Sequence, residues 1–165
     1  MNTVIRKLKR SLVAMLTLSL FLAISSISAS ASDLEDLGKK VDGSILTNEE
    51  SAEDIWQNVA RGSLLDQGIA KITNIGNRTV NIYGATLAYK TCDKLIVKLT
   101  LQQYDGGWVN YAFHNDSTTN ASSMSRSYNK KVAGGHYYRL KASCSAIKGS
   151  DMESQVPITN GIWIP

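Results

Sequence analysis

The chain has 165 residues, 43% of them hydrophobic, with 18 lysines and arginines, 14 acids and two cysteines. That composition excludes a disordered polar chain and a disulfide-dense scaffold, and a formal charge of only +4 excludes a polybasic binder of nucleic acid. Four of the basic residues, Arg6, Lys7, Lys9 and Arg10, precede every acid, so residues 32–165 carry fourteen charges of each sign.

Those four residues form the cationic start of a secretory leader. Leu12 to Ile24 supply an uncharged apolar run and Ala29-Ser30-Ala31 a small-residue cleavage site. Spanning a bilayer takes roughly 20 apolar residues, and the run breaks into serines before reaching that length. A signal peptide over 1–31 is therefore expected, with secretion to an extracellular location. No cysteine follows the leader to carry a lipid and no second apolar run occurs. No integral membrane association is expected after cleavage.

Residues 32–60 read as an acidic arm with eight acids against Lys39 and Lys40. Thr47-Asn48-Glu49-Glu50 fits a capping box, in which the Thr47 hydroxyl and the Glu50 carboxylate each satisfy an orphan amide. Ala52, Ile55, Trp56, Val59 and Ala60 then fall on one face at helical spacing. A short amphipathic helix is expected here. About 12 residues are marginal as an isolated helix, so the apolar face must lie on the domain or on a partner.

From Gly68 the period changes to two. Leu95, Val97, Leu99 and Leu101 alternate with Ile96, Lys98, Thr100 and Gln102, and Tyr138, Leu140, Ala142 and Cys144 alternate with Tyr137, Arg139, Lys141 and Ser143. Each series describes a strand with one buried face. Shorter strands are expected at 69–74, 79–89, 108–114, 123–132, 152–156 and 162–164. Gly76-Asn77, Asp105-Gly106-Gly107, Gly134-Gly135, Gly149-Ser150-Asp151 and Asn160-Gly161 supply turn chemistry between them. Gly84 marks an expected bulge. Asn77-Arg78-Thr79, Asn115-Asp116-Ser117 and Asn120-Ala121-Ser122 fit glycosylation sequons but read as turns. Seven or eight short antiparallel strands over 61–165 point to an all-β sandwich, with an open barrel as the alternative.

Two cysteines in an oxidising compartment favour a disulfide between Cys92 and Cys144. The chain-entropy model gives such a loop roughly 4 kcal/mol.

The run Tyr137-Tyr138-Arg139-Leu140-Lys141-Ala142 with Cys144 is similar to the penultimate strand of immunoglobulin and fibronectin type III domains. That resemblance implies an immunoglobulin-like sandwich, although Cys92, lying ahead of the Leu95 strand, departs from antibody spacing. A longer resemblance runs through Arg61-Gly62-Ser63, Gly68 to Asn74, Asn77 to Ile82, Thr91-Cys92-Asp93-Lys94, Trp108, Gly135 to Arg139 and Thr159 to Ile164. Together these resemble a family of small secreted proteins of unknown function from Gram-positive, largely clostridial bacteria. The resemblance implies an extracellular bacterial protein and carries over no active site.

Catalytic and metal chemistry find little material. The histidines are His114 and His136 alone, no G-x-S-x-G elbow occurs, and zinc or calcium ligand spacings are missing. No enzyme activity, metal or other cofactor is expected. The remaining candidate is a basic outward face. If the Leu95 and Tyr138 strands are neighbours, Lys98, Arg139 and Lys141 share it, with Lys90 and Lys94 at its edge and Trp108 and Tyr111 offering sugar stacking. Two readings stay open for it: a charged face kept for solubility, or an anion site for a cell-wall polymer, polysaccharide or surface protein. The first implies nothing further; the second implies a secreted, non-catalytic binding module. The alternative function is an antimicrobial or toxin-like precursor, in which the acidic arm lies over the basic face with Ile55 and Trp56 as anchors.

Overall fold

A computed structural model describes residues 35–58 and 64–165. The expected leader and its cleavage site lie outside the described residues, as do Val59 and Ala60 of the expected helix. Asp36–Pro165 form one compact unit. Among the described residues there are nine strands and no helix: β1 (Lys40–Val41), β2 (Ser44–Thr47), β3 (Ser51–Gln57), β4 (Leu65–Asn74), β5 (Thr79–Tyr104), β6 (Trp108–Lys131), β7 (His136–Lys148), β8 (Asp151–Gln155) and β9 (Gly161–Ile164).

The all-β class is as expected; the connectivity is not that of two separate sheets. One hydrogen-bonded path runs β1-β2-β9-β7-β5-β4-β3, with β6 added to β5 and β8 to β7. Its centre is the hairpin of β5 and β6, 26 and 24 residues long, where strands usually stop near 10. Such length is possible because the hairpin bends. Up to Ala88 β5 pairs with β4, and from Lys94 to Gln103 it pairs with β7. The β5–β6 register breaks between Leu87 and Cys92, and the sheet curls there so that its halves face each other.

Small residues set how closely the halves approach. Ala70 pairs with Gly84, and a Cβ on Gly84 would stand 2.5 Å from Leu99 Cδ2 and 3.3 Å from Val97 Cγ1. The Thr86 hydroxyl donates to the Ile96 carbonyl at 3.0 Å, joining the two arms of β5 directly. Between the halves lies the core of Ile72, Val80, Ile82, Leu95, Val97, Leu99, Leu101, Tyr138, Leu140 and their neighbours. Gly84 itself keeps register with Ala70 and Arg126. The expected bulge is therefore absent at Gly84, whose missing side chain makes room for Leu99.

The acidic segment corrects a second expectation. Ser51 to Gln57 make seven consecutive antiparallel pairs with Thr73 to Gln67, so the expected helix is a strand. Ala52 is buried and Asp54 and Trp56 are half-buried, while Glu53, Ile55 and Gln57 point outward. A marginal helix offers fewer tertiary contacts than this ladder and its buried face. The Asp54 carboxylate also accepts the Ile158 amide at 2.7 Å.

Upstream, Asp42 and Gly43, with φ of 47° and 82°, make the two-residue turn between β1 and β2. β2 joins β9 in parallel through Leu46 and Thr47. Asn115-Asp116-Ser117 and Asn120-Ala121-Ser122, expected as turns, lie inside β6, where Asn115 to Ala121 run opposite Lys98 to Cys92 of β5. Only Asn120 there adopts a positive φ, 51°.

Candidate ligand-binding face

The expected adjacency of the Leu95 and Tyr138 strands is present. Lys98 pairs with Ser143 and Thr100 with Lys141, which makes Lys98 and Lys141 diagonal neighbours on one face. Lys94 pairs with Ile147 on the same face, four residues and about 13 Å from Lys98. Across the other edge of β5, Asn115 stands opposite Lys98 and Phe113 opposite Thr100. Lys94, Lys98 and Phe113 are exposed and Lys141 is half-buried, with an isolated bridge to Ile158 beside it. The Lys98 ammonium lies 5.9 Å from the Phe113 ring centre, a weak cation–π contact at an exposed site. From Lys94 to Gln102 of β5 and across their partners on β6, β7 and β8, the outward register positions hold no carboxylate. Lys90 is exposed in the bend where β5 changes partners, away from the paired rows.

Arg139 leaves this group. It pairs with Gln102 on the lysine side of β7, as alternation predicts, but is only 2% exposed because the β1–β2 hairpin covers it. Its Nε donates to Gln102 Oε1 at 2.8 Å, Nη1 to the Asp42 carbonyl and Ser44 Oγ at 2.9 Å each, and Nη2 to Asp42 Oδ2 at 2.9 Å. The guanidinium stacks 4.4 Å from the Trp108 ring centre. Burial pushes its pKa down and the Asp42 carboxylate pulls it back up. Its charge is committed to the fold, not to a ligand.

Trp108 is held in the same place. Its indole donates to the Val41 carbonyl at 3.1 Å, and it packs with Val41 and Trp163 around buried Leu46, Tyr104 and Tyr137. Tyr111 is 38% exposed and meets Tyr138 edge-on at 5.5 Å. Neither aromatic lies in the lysine rows. The sequence signal for this second core was the Asp42-Gly43 dipeptide, a strong hairpin turn motif.

Cys92 and Cys144 are unpaired and buried, which corrects the expected disulfide. Cys144 stands opposite Val97, and Cys92 is five positions away along β5, roughly 16 Å at strand rise. Disulfides need Cα atoms within about 7 Å. The Cys144 thiol instead donates to the Ala85 carbonyl at 3.2 Å and the Cys92 thiol to the Lys90 carbonyl at 3.3 Å. Burial pushes both thiol pKa values up. Among the described residues no three His, Cys, Asp or Glu side chains gather as metal ligands.

A family model, described as a family of unknown function (DUF6147), matches residues 28–161. No curated protein and no solved structure matches the chain.

Proposed function

We propose that this chain, which belongs to the DUF6147 family of unknown function, is a secreted, non-catalytic module that binds an anionic cell-surface polymer such as a teichoic acid or an acidic polysaccharide. The observation that carries this reading is the clustering of Lys94, Lys98 and Lys141 on outward positions without a carboxylate. A solvated face would be served equally well by mixed charge, and mixed charge is what these rows lack. Phe113, 57% exposed beside Lys98, adds apolar area next to the charges. Secretion enters this reading from the leader over 1–31 alone.

The precursor reading loses its anchors. Ile55 is exposed on β3 and Trp56 half-buried there, in the half of the sheet built on β4, and among the described residues of the acidic segment Asp42 alone pairs with Arg139.

Co-sedimentation with Gram-positive cell walls, before and after acid extraction of their teichoic acids, tests the proposal. Wild type should bind the intact walls, and Lys98→Glu with Lys141→Glu should lower binding about tenfold or more. Raising salt should weaken what remains, since exposed charges are screened beyond about 8 Å at physiological ionic strength. Equal binding by wild type and the double variant would overturn it.

A further inference from the structure

Among the described residues four strands, β1, β3, β6 and β8, have a neighbour on one side only. An unpaired edge recruits other strands unless shortness, charge or proline blocks it. β1 has two residues. β3 carries Glu53 and Asp54, β8 carries Asp151 and Glu153 and runs into Pro157, and the second arm of β6 carries Arg126, Lys130 and Lys131. The first arm of β6 lacks this protection: across residues 106–125 Asp116 is the only charged residue, and no proline occurs. That carboxylate is on the core side, opposite Val97, where it accepts the Tyr128 hydroxyl at 2.8 Å and lies 3.4 Å from Arg126 Nε.

Backbone alternation shows which groups the edge offers. The Ala142 amide donates to the Pro157 carbonyl and the Thr159 amide to the Leu140 carbonyl, at 3.0 Å each. Even-numbered residues of β7 therefore bond away from β5, and Lys141 and Ser143 bond to Thr100 and Lys98. Val97, Leu99 and Leu101 then bond to Asp116, His114 and Ala112. Phe113, Asn115 and Ser117 are left with N–H and C=O directed at solvent, and all are exposed, Phe113 by 57%. This regular stretch ends at Tyr111, which the register skips between Leu101 and Gln102, and at Asn120, with φ of 51°. Asn115 lies near its middle.

We infer that two copies of this chain pair antiparallel through residues 112–118 of β6, about a two-fold axis at Asn115. The arm is self-complementary there: Phe113 meets the partner's Ser117, His114 meets the partner's Asp116, and each edge-facing pair exchanges two backbone hydrogen bonds. An axis at Asp116 would set carboxylate against carboxylate, and one at Phe113 or His114 would meet the Tyr111 bulge sooner. The pairing continues the lysine rows from one copy to the other, with the two Lys98 positions three strand spacings, about 14 Å, apart. It does not depend on what those lysines bind.

Sedimentation equilibrium of native protein from micromolar to millimolar concentration tests the inference and should follow a monomer–dimer equilibrium, since one short ladder makes a small interface. Ser117→Pro removes an amide that no neighbour within the chain uses, a change edge strands tolerate, and should weaken the dimer at least tenfold. Asn115→Cys should give a disulfide-linked dimer under mild oxidation, because residues directly opposite stand about 5.5 Å apart at Cα. Thr119→Cys should not, its two copies being about 27 Å apart. Lys98→Glu with Lys141→Glu should keep the dimer, which separates this result from the wall-binding one. A monomer at every concentration would overturn the inference. So would a dimer unaffected by Ser117→Pro, or faster linkage through Thr119→Cys than through Asn115→Cys. Loss of cell-wall binding in Ser117→Pro without any wild-type dimer would give the edge to a wall component and overturn it too. Near-UV circular dichroism shows whether Ser117→Pro is folded; if it is not, Asn115→Lys, which sets two ammonium groups at the axis, carries the test.

Discussion

Arg139 makes four hydrogen bonds and one aromatic stack while Asp42, its carboxylate partner, is 79% exposed at the side chain. The two ends of this pair are therefore unequal. Arg139→Ala empties a buried volume and strands Gln102, Ser44 and the Asp42 carbonyl, and breaking a buried pair from that end costs about 3–5 kcal/mol. Asp42→Asn keeps the turn and the carbonyl contact, and should cost about 1 kcal/mol or less because the lost charge is solvated. Urea denaturation of the two variants checks the inequality; similar losses would mean that the ion pair, not the buried hydrogen bonds, dominates. Tyr138 behaves differently again. Burial drives its phenol pKa up to about 12, and its hydroxyl donates to the Ala133 carbonyl at 2.9 Å, a bond that only the protonated phenol makes. Because the folded value lies above the unfolded value near 10, Tyr138 favours the folded state fully below about pH 10, and that contribution disappears as pH rises toward 12. Absorbance at the tyrosinate band should show wild type retaining one late-ionising tyrosine that Tyr138→Phe lacks.

At the scale of elements, the bent hairpin of β5 and β6 decides the architecture, and its tightest point is Gly84 under Leu99. Gly84→Ala places a methyl 2.5 Å from Leu99 Cδ2, so stability should fall by about 1–3 kcal/mol from overpacking. In a Gly84→Ala, Leu99→Ala double variant the added methyl fills part of the space that Leu99 vacates. Its loss should be less than the sum of the single losses, as contacting sites are non-additive. Strict additivity would mean that the two arms do not press on each other there. The Leu95 and Tyr138 strands were legible because one buried face imposes a period of two. β6 was half legible: its middle, Asn115 to Ser122, is polar on both faces because few of its side chains are buried, and polar runs look like turns. β3 was misread because Ala52, Ile55 and Trp56 satisfy helical spacing while Ala52, Asp54 and Trp56 satisfy strand spacing, and only pairing with β4 decides between them. The lysine rows followed from alternation, whereas the burial of Arg139 depends on a hairpin nearly a hundred residues upstream, which no local pattern on β7 reports.

At the scale of the compact unit Asp36–Pro165, both thiols enter the larger of its two apolar cores. Cys92 and Cys144 lie in the same cluster as Leu95, Val97 and Leu140, and each is fully buried. An oxidising compartment and an even count argue for a bridge, but compartment sets only whether a bridge can persist, and register sets whether one can form. With roughly 16 Å of β5 between the two positions, closing the bond would require unzipping the β5–β7 ladder that supplies much of the core. Burial also raises both thiol pKa values, which lowers the thiolate fraction that oxidants and alkylating reagents attack. Native protein should therefore leave both thiols unreactive toward a disulfide reagent at neutral pH. Denaturant without reductant should release two equivalents together, because both belong to the same cooperative core. Adding reductant to native protein should leave its melting temperature unchanged. Protein that releases no thiol in denaturant until reductant is added would show a bridge, and with it a register of β5 against β7 different from the one that pairs Val97 with Cys144. Release of one equivalent before the other would instead show that the bend around Cys92 opens separately from the ladder around Cys144.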